Sequence, residues 1–155
     1  MADIKITIQN DATPEVKATM KRRVRTALTA AGIQAATAAR EELQKSPKRI
    51  DTGLLRNSIT SAMDGKSPRI GGYKASKASR YTGKKPEPGR YEGATPSEPE
   101  GKAAVYIGTN VKYAIYVHEG TDRMAANRFL KNAVENNAQE LVDIIKQHLM
   151  AESDT

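Results

Sequence analysis

The chain has 155 residues, no Cys, no Trp, one Phe and six Tyr, and 25 Lys and Arg against 18 Asp and Glu give it a net charge of +7. The lack of Cys excludes a disulfide framework, thiolate chemistry and Cys-based zinc sites, and suits assembly in a reducing cytoplasm. The length sets a single domain, 1–155, with a core built from Leu, Ile, Val, Met and Ala, and so few aromatics leave room for subunit contacts to add stability.

Met1-Ala2-Asp3 opens no signal peptide and no apolar run reaches membrane-spanning length, so no membrane partner is expected. Ile4, Ile6 and Ile8 alternate with polar residues, the period of a strand with one buried face. Thr13-Pro14-Glu15 reads as an N-cap, a first-turn proline and an early acid. Val16, Met20, Val24, Leu28, Ala31, Ala35, Ala38 and Leu43 then mark one apolar stripe on a long helix that Ser46-Pro47 ends. At about thirty residues that helix spans roughly 45–50 Å and overhangs a domain of this size. Gly32 is a point where it bends, and the Ala-rich half beyond it admits a neighbouring backbone closely.

Asp51-Thr52-Gly53 is a turn, and Leu55, Ile59 and Met63 suggest a second strand after one helical turn at 53–57. Residues 64–102 differ from the rest. They hold seven of the eleven Gly, five of the seven Pro, and Ile70 as the one branched aliphatic residue. Such a stretch buries too little to order itself, and it is expected to project from the sheet as an inserted arm. Residues 104–108 form a third strand, and residues 113–118 a fourth strand or a short helix. Leu130, Val134, Ala138, Leu141, Ile145 and Leu149 mark a last amphipathic helix. The fold class expected is α+β: a small, largely antiparallel sheet of three to four strands, with the two helices packed on one face.

Charge is uneven. Residues 14–46 carry seven basic and three acidic side chains and 64–102 nine and five, whereas 124–155 carry three and five. Such asymmetry fits nucleic acid or complementary faces meeting between subunits. Lys21, Arg22, Arg23 and Arg25 are a candidate phosphate-binding ridge, with a solvated helix face as the plainer reading. Tyr73, Tyr81 and Tyr91, with Lys84 and Lys85, are candidate arm contacts, able to stack on bases or to dock on an acidic partner; a soluble linker is the plainer reading.

Catalytic patterns fail. His118-Glu119 begins a zinc-protease motif, but Asp122 stands where its second His belongs, and His148 is an isolated helix residue. No phosphate loop and no nucleophile elbow occurs. The expectation is a protein without catalysis, metal or cofactor.

Three stretches fit together in order: Asp51-Thr52-Gly53-Leu54-Leu55-Arg56-Asn57-Ser58-Ile59, then Tyr113-Ala114-Ile115-Tyr116-Val117-His118-Glu119-Gly120-Thr121, then Met124-Ala125-Ala126-Asn127-Arg128-Phe129-Leu130-Lys131-Asn132-Ala133. Ahead of an amphipathic helix, they resemble the neck or tail-completion family of tailed bacteriophages. That family carries Thr-Gly-x-Leu-Arg-x-Ser-Ile, a Tyr-Ala-x-Tyr-Val segment running into Gly-Thr, and Ala-Arg-Pro-Phe-Leu opening its last helix. Asn127-Arg128 replaces its Arg-Pro, leaving Asn127 as the expected N-cap, and the 64–102 arm is longer than the usual connection.

The resemblance implies a structural virion protein at the head–tail junction, assembled in the host cytoplasm. It implies a closed ring, commonly sixfold, around a DNA channel read without sequence recognition. Its partners are then other copies of itself and the neighbouring head-completion, tail-terminator or tail-tube proteins. Arg56, Tyr113, Tyr116, His118, Glu119, Gly120, Thr121 and Phe129 become candidate interface or hinge residues. Gly120 takes positive φ in this reading, Tyr113 and Tyr116 anchor the junction, and Glu119 is a solvated carboxylate or a partner of Arg56. The alternative is a basic nucleic-acid-binding protein that uses Lys21 to Arg25 and the Tyr/Lys arm.

Overall fold

The computed structural model describes residues 4–7, 13–45, 47–63, 72–91 and 102–151, with the side chains of 4–7 and 102 left aside. Helix α1 runs Pro14–Glu42. Thr13 is extended and its Oγ1 accepts the Val16 N–H at 3.5 Å, Pro14 opens the first turn, and Glu15 sits at the positive end of the helix dipole. The apolar stripe is buried from Val24 onward, through Leu28, Ala31, Ala35 and Ala39. Its expected first members are not: Val16 is 50% exposed and Met20 38%. The helix outruns its support, and residues 13–22 are exposed throughout.

Among the described residues three strands form the sheet, β1 at Ile4–Thr7, β2 at Thr60–Ala62 and β3 at Lys102–Gly108, and β2 and β3 pack against α1. Their order is β1-β3-β2, with β3 antiparallel to both neighbours through Ile4↔Val105 and Thr60↔Gly108. Ile8, expected in the first strand, lies outside the described residues. Gly32 serves packing. A Cβ there would fall 2.6 Å from Val105 Cγ2 and 3.0 Å from Ser61 Cβ, so the missing side chain lets α1 seat on the sheet.

Four shorter helices complete the fold: α2 at Leu54–Ser58, α3 at Ala114–Glu119, α4 at Phe129–Glu135 and α5 at Ala138–Met150. Residues 113–118 thus take the helical alternative, with Ala114 and Val117 buried three residues apart on one face. The last helix, expected to be continuous, breaks at Asn136-Asn137. Asn137 turns its side chain onto the Ala133 carbonyl at 2.8 Å, the local competition by which Asn interrupts helices.

The C-terminal helices run back along α1. Asn127 bonds to the carbonyls of Glu42 and Pro47, and farther on Glu140 Oε1 accepts from Gln34. Ten more residues rise about 15 Å and bring Met150 level with the point where burial of α1 begins, near Val24.

Candidate functional site

The resemblance motifs converge on one surface groove of about 550 Å³, lined by residues 48–56, 79–82, 84–86, Tyr113, Val117 and Met124. Its floor is apolar, from Ile50, Leu54, Leu55, Val117 and Met124. Among the described residues its walls carry six cations, Lys48, Arg49, Arg56, Arg80, Lys84 and Lys85, against one carboxylate, Asp51.

The turn after α1 builds the groove. Gly53 takes φ +82, a left-handed value that glycine adopts without a Cβ clash, and it starts α2. Thr52 is buried; its Oγ1 accepts the Leu54 N–H at 3.2 Å, and its carbonyl accepts from Ser76 N and Lys77 N at 2.8 and 3.2 Å. Asn57 donates to Lys74 O and to Ser76 Oγ. Asp51 takes the Ser79 hydroxyl and the Arg80 N–H. The Ser79 bond first, then the Arg80 N–H, holds the Asp51 carboxyl below its ordinary range. The one acid in the groove is therefore committed to holding the wall opposite it. Arg49 donates through Nη2 to Ala125 O at 2.8 Å, while its buried Nε has no acceptor among the described residues.

Much of the expected arm is docked rather than projecting. Tyr73 and Tyr91 pack with ring centroids 5.0 Å apart; Tyr73 OH donates to Asn110 Oδ1 at 2.6 Å and Tyr91 OH to Ser58 O at 2.8 Å. Tyr73 and Gly89 exchange backbone bonds of 3.0 and 2.9 Å. Neither ring is thus a free contact, and the composition argument misjudged 72–91 because polar bonds and tyrosine packing replace aliphatic burial there. Residues 64–71 and 92–101 of the arm lie outside the described residues. Tyr81 does project, at 77% exposure, with the Arg80 guanidinium 4.9 Å from its ring centre; Lys84 and Lys85 are exposed beside it.

Helix α3 edges the groove and presents a mixed face. Tyr113, Ile115 and Tyr116 are 44%, 62% and 59% exposed. They are not packed anchors of a hinge within the subunit. Burial of the Tyr113 phenol pushes its pKa up.

The His118-Glu119-Gly120-Thr121 stretch turns the chain toward α4. Gly120 has φ +78, as expected, and a Cβ there would meet Ala126 N at 2.8 Å and Met124 O at 2.9 Å. Thr121 and Met124 close the loop with backbone bonds of 2.8 and 3.2 Å. His118 sits edge-on to Phe129, its Nδ1 2.8 Å from Glu119 Oε1, and its Nε2 accepts the Lys131 N–H at 3.4 Å. That pattern places the ring proton on Nδ1. Glu119 faces His118 and, at 3.7 Å, Arg128, rather than the candidate Arg56; the His118 bond leads in lowering its pKa. Arg56 is exposed on the groove wall.

Two expected roles change. Phe129 is fully buried and belongs to the core, not to an interface. Asn127 is no N-cap: Arg128 occupies that position, and Asn127 is 5% exposed, with its Nδ2 donating to Glu42 O at 3.1 Å and Pro47 O at 3.0 Å. It clamps the third motif to the end of α1. Of the basic ridge, Lys21, Arg22 and Arg25 are exposed and Arg23 is half-buried, all flanking buried Val24. No group of three or more potential metal-binding side chains occurs among the described residues, and no helix there is long and apolar enough to cross a membrane. Asp51, Asn57, Ser79 and Arg80 were not singled out as site residues from sequence.

No protein-family model matches the chain, and neither a curated protein nor a solved structure shows significant similarity to it. The likeness to the phage neck family therefore rests on the three motif stretches alone.

Proposed function

We propose that this chain is a structural subunit of the head–tail junction of a tailed phage or prophage-derived particle, assembling as a closed ring around the DNA channel. One observation carries the reading. The motif residues Thr52 to Arg56, Tyr113, Val117 and Met124, far apart in sequence, line one groove, and Tyr113, Ile115 and Tyr116 are exposed beside it. Thr52, Leu55 and Val117 are buried beneath the groove, whereas the motif residues Arg56, Tyr113, Ile115 and Tyr116 stay exposed, and large apolar and aromatic side chains kept on a surface suit recognition of another protein. Sixfold closure follows from the family likeness, as do virion localisation and contacts with head-completion, tail-terminator or tail-tube proteins. The role requires no catalysis, cofactor or metal.

Closed rings are expected in electron micrographs of the purified protein, and portal, capsid and tail-tube genes beside its own. Tyr116→Ala is expected to keep the fold and lose the rings. Monomers at all concentrations, or a neighbourhood without virion genes, would refute the reading. The basic wall supports the second reading, nucleic-acid binding through Arg80, Lys84 and Lys85 with exposed Tyr81; its mark is duplex affinity that falls steeply with salt.

A further inference from the structure

The groove pairs an apolar floor with cationic walls, and Asp51, the one carboxylate among its described lining residues, is already engaged by Ser79 and Arg80. A bare phosphate backbone would satisfy the walls and leave the floor wet. An extended segment with one apolar side chain followed by acids satisfies both. This chain carries such a segment: Met150, 77% exposed at the end of α5, is followed by Ala151-Glu152-Ser153-Asp154-Thr155. Beyond the helix end at Met150, an extended continuation would put Glu152 and Asp154 on one face.

We propose that the groove of one copy holds residues 150–155 of a second copy, with Met150 on the apolar floor and Glu152 and Asp154 against Arg80, Lys84 and Lys85. Geometry makes the contact intermolecular. The groove follows the C-terminal end of α1, whereas α5 runs back along that helix past the Gln34–Glu140 bond, and its rise of about 15 Å beyond Glu140 carries its end toward the level of Val24. Those points are about nineteen helical residues, or about 28 Å, apart. The four residues after Ala151 reach at most about 14 Å when fully extended, so a copy's own tail falls short of its own groove. A donor at one end of the subunit and an acceptor at the other form a heterologous contact, the kind that closes into a ring when the rotation per copy divides the circle. The inference rests on the self-assembly put forward above and names its contact.

The competing occupant of the tail is the basic start of α1, where Lys21 and Arg22 lie nearer to the same copy's α5 end. Sedimentation of the full chain separates the cases. Wild type is expected to self-associate at micromolar concentration, and to do so more weakly as salt rises from about 0.1 to 0.5 M. Lys84→Glu with Lys85→Glu, or Glu152→Lys with Asp154→Lys, is expected to raise the dissociation constant at least about tenfold, and the four changes together to recover most of it. All the changed side chains in the groove are exposed, and circular dichroism reports that the fold is kept.

A wild type that stays monomeric up to about millimolar concentration overturns the inference. So does loss of association on Lys21→Glu with Arg22→Glu but not on the groove changes, or a single-stranded oligonucleotide that displaces the second copy from the groove. If rings form and ignore the groove charges, this contact is wrong and the junction reading stands. If the groove drives association in a chain with no virion genes beside it, the reverse holds.

Discussion

Replacing Gly120 by alanine tests whether the turn into α4 is held by backbone conformation or merely tolerates glycine. At φ +78 and ψ 174 the backbone lies where residues with a Cβ are essentially absent, a strain of about 1–3 kcal/mol. A Cβ would also sit 2.8 Å from Ala126 N and 2.9 Å from Met124 O, both backbone atoms that no rotamer change can move. Relieving that overlap shifts the 124–126 segment, for about another 1–3 kcal/mol. Gly120→Ala is therefore expected to lose about 2–6 kcal/mol, or about 4–24 °C in Tm for a chain of this length. Gly83 is the control. Its φ is +68, but no atom lies within 4 Å of its would-be Cβ, so Gly83→Ala should cost only the conformational part, about 1–2 kcal/mol. Urea unfolding of both variants, with m-values checked for constancy, gives the comparison. Equal losses, within about 0.5 kcal/mol, would mean that the 124–126 backbone yields freely and that Gly120 is not a fixed pivot.

Two further outcomes concern the same corner of the molecule. Asn127→Ala removes the donors to Glu42 O and Pro47 O and is expected to cost about 2–3 kcal/mol. Asn127→Asp should be at least as damaging, because it turns acceptors toward two carbonyls; an N-cap would instead accept Asp without loss, so a stable Asp variant would refute the clamp. Glu119 has a carboxyl pKa below its ordinary value of 4.5, led by the His118 bond and aided by Arg128 and Lys131. A depressed acid contributes stability in full above that ordinary value and loses it as pH falls through the lowered one. The stability gap between wild type and Glu119→Gln should hold from pH 7 to about 5 and close below about 4.5; a gap unchanged down to pH 3 would refute the assignment.

The sequence alone determined what local sterics and periodicity decide. Thr13-Pro14 starts α1 because a side-chain acceptor and a proline fit only that end of a helix. Gly120 holds positive φ because only a residue without a Cβ takes that backbone without strain, and β1 and β3 follow from alternation and β-branched residues. Mixed helix and strand, with a long first helix and a helical C-terminal region, was legible for the same reason.

Only the tertiary structure decided what depends on a distant partner. Val16 and Met20 continue the stripe of α1, yet they are exposed, because no other described element covers the first turns of that helix. Tyr73 and Tyr91 are docked because Asn110 and Ser58 come within reach of their hydroxyls. Phe129 and Tyr116 carry the same aromatic signal in adjoining motifs, and their neighbours send one into the core and leave the other on the surface. The cationic groove joins the end of α1 to a loop some thirty residues later, held by Asp51 on Ser79 and Arg80. Charge at each position is written in the chain, but its concentration around one apolar floor exists only once α2, α3 and that loop have packed together.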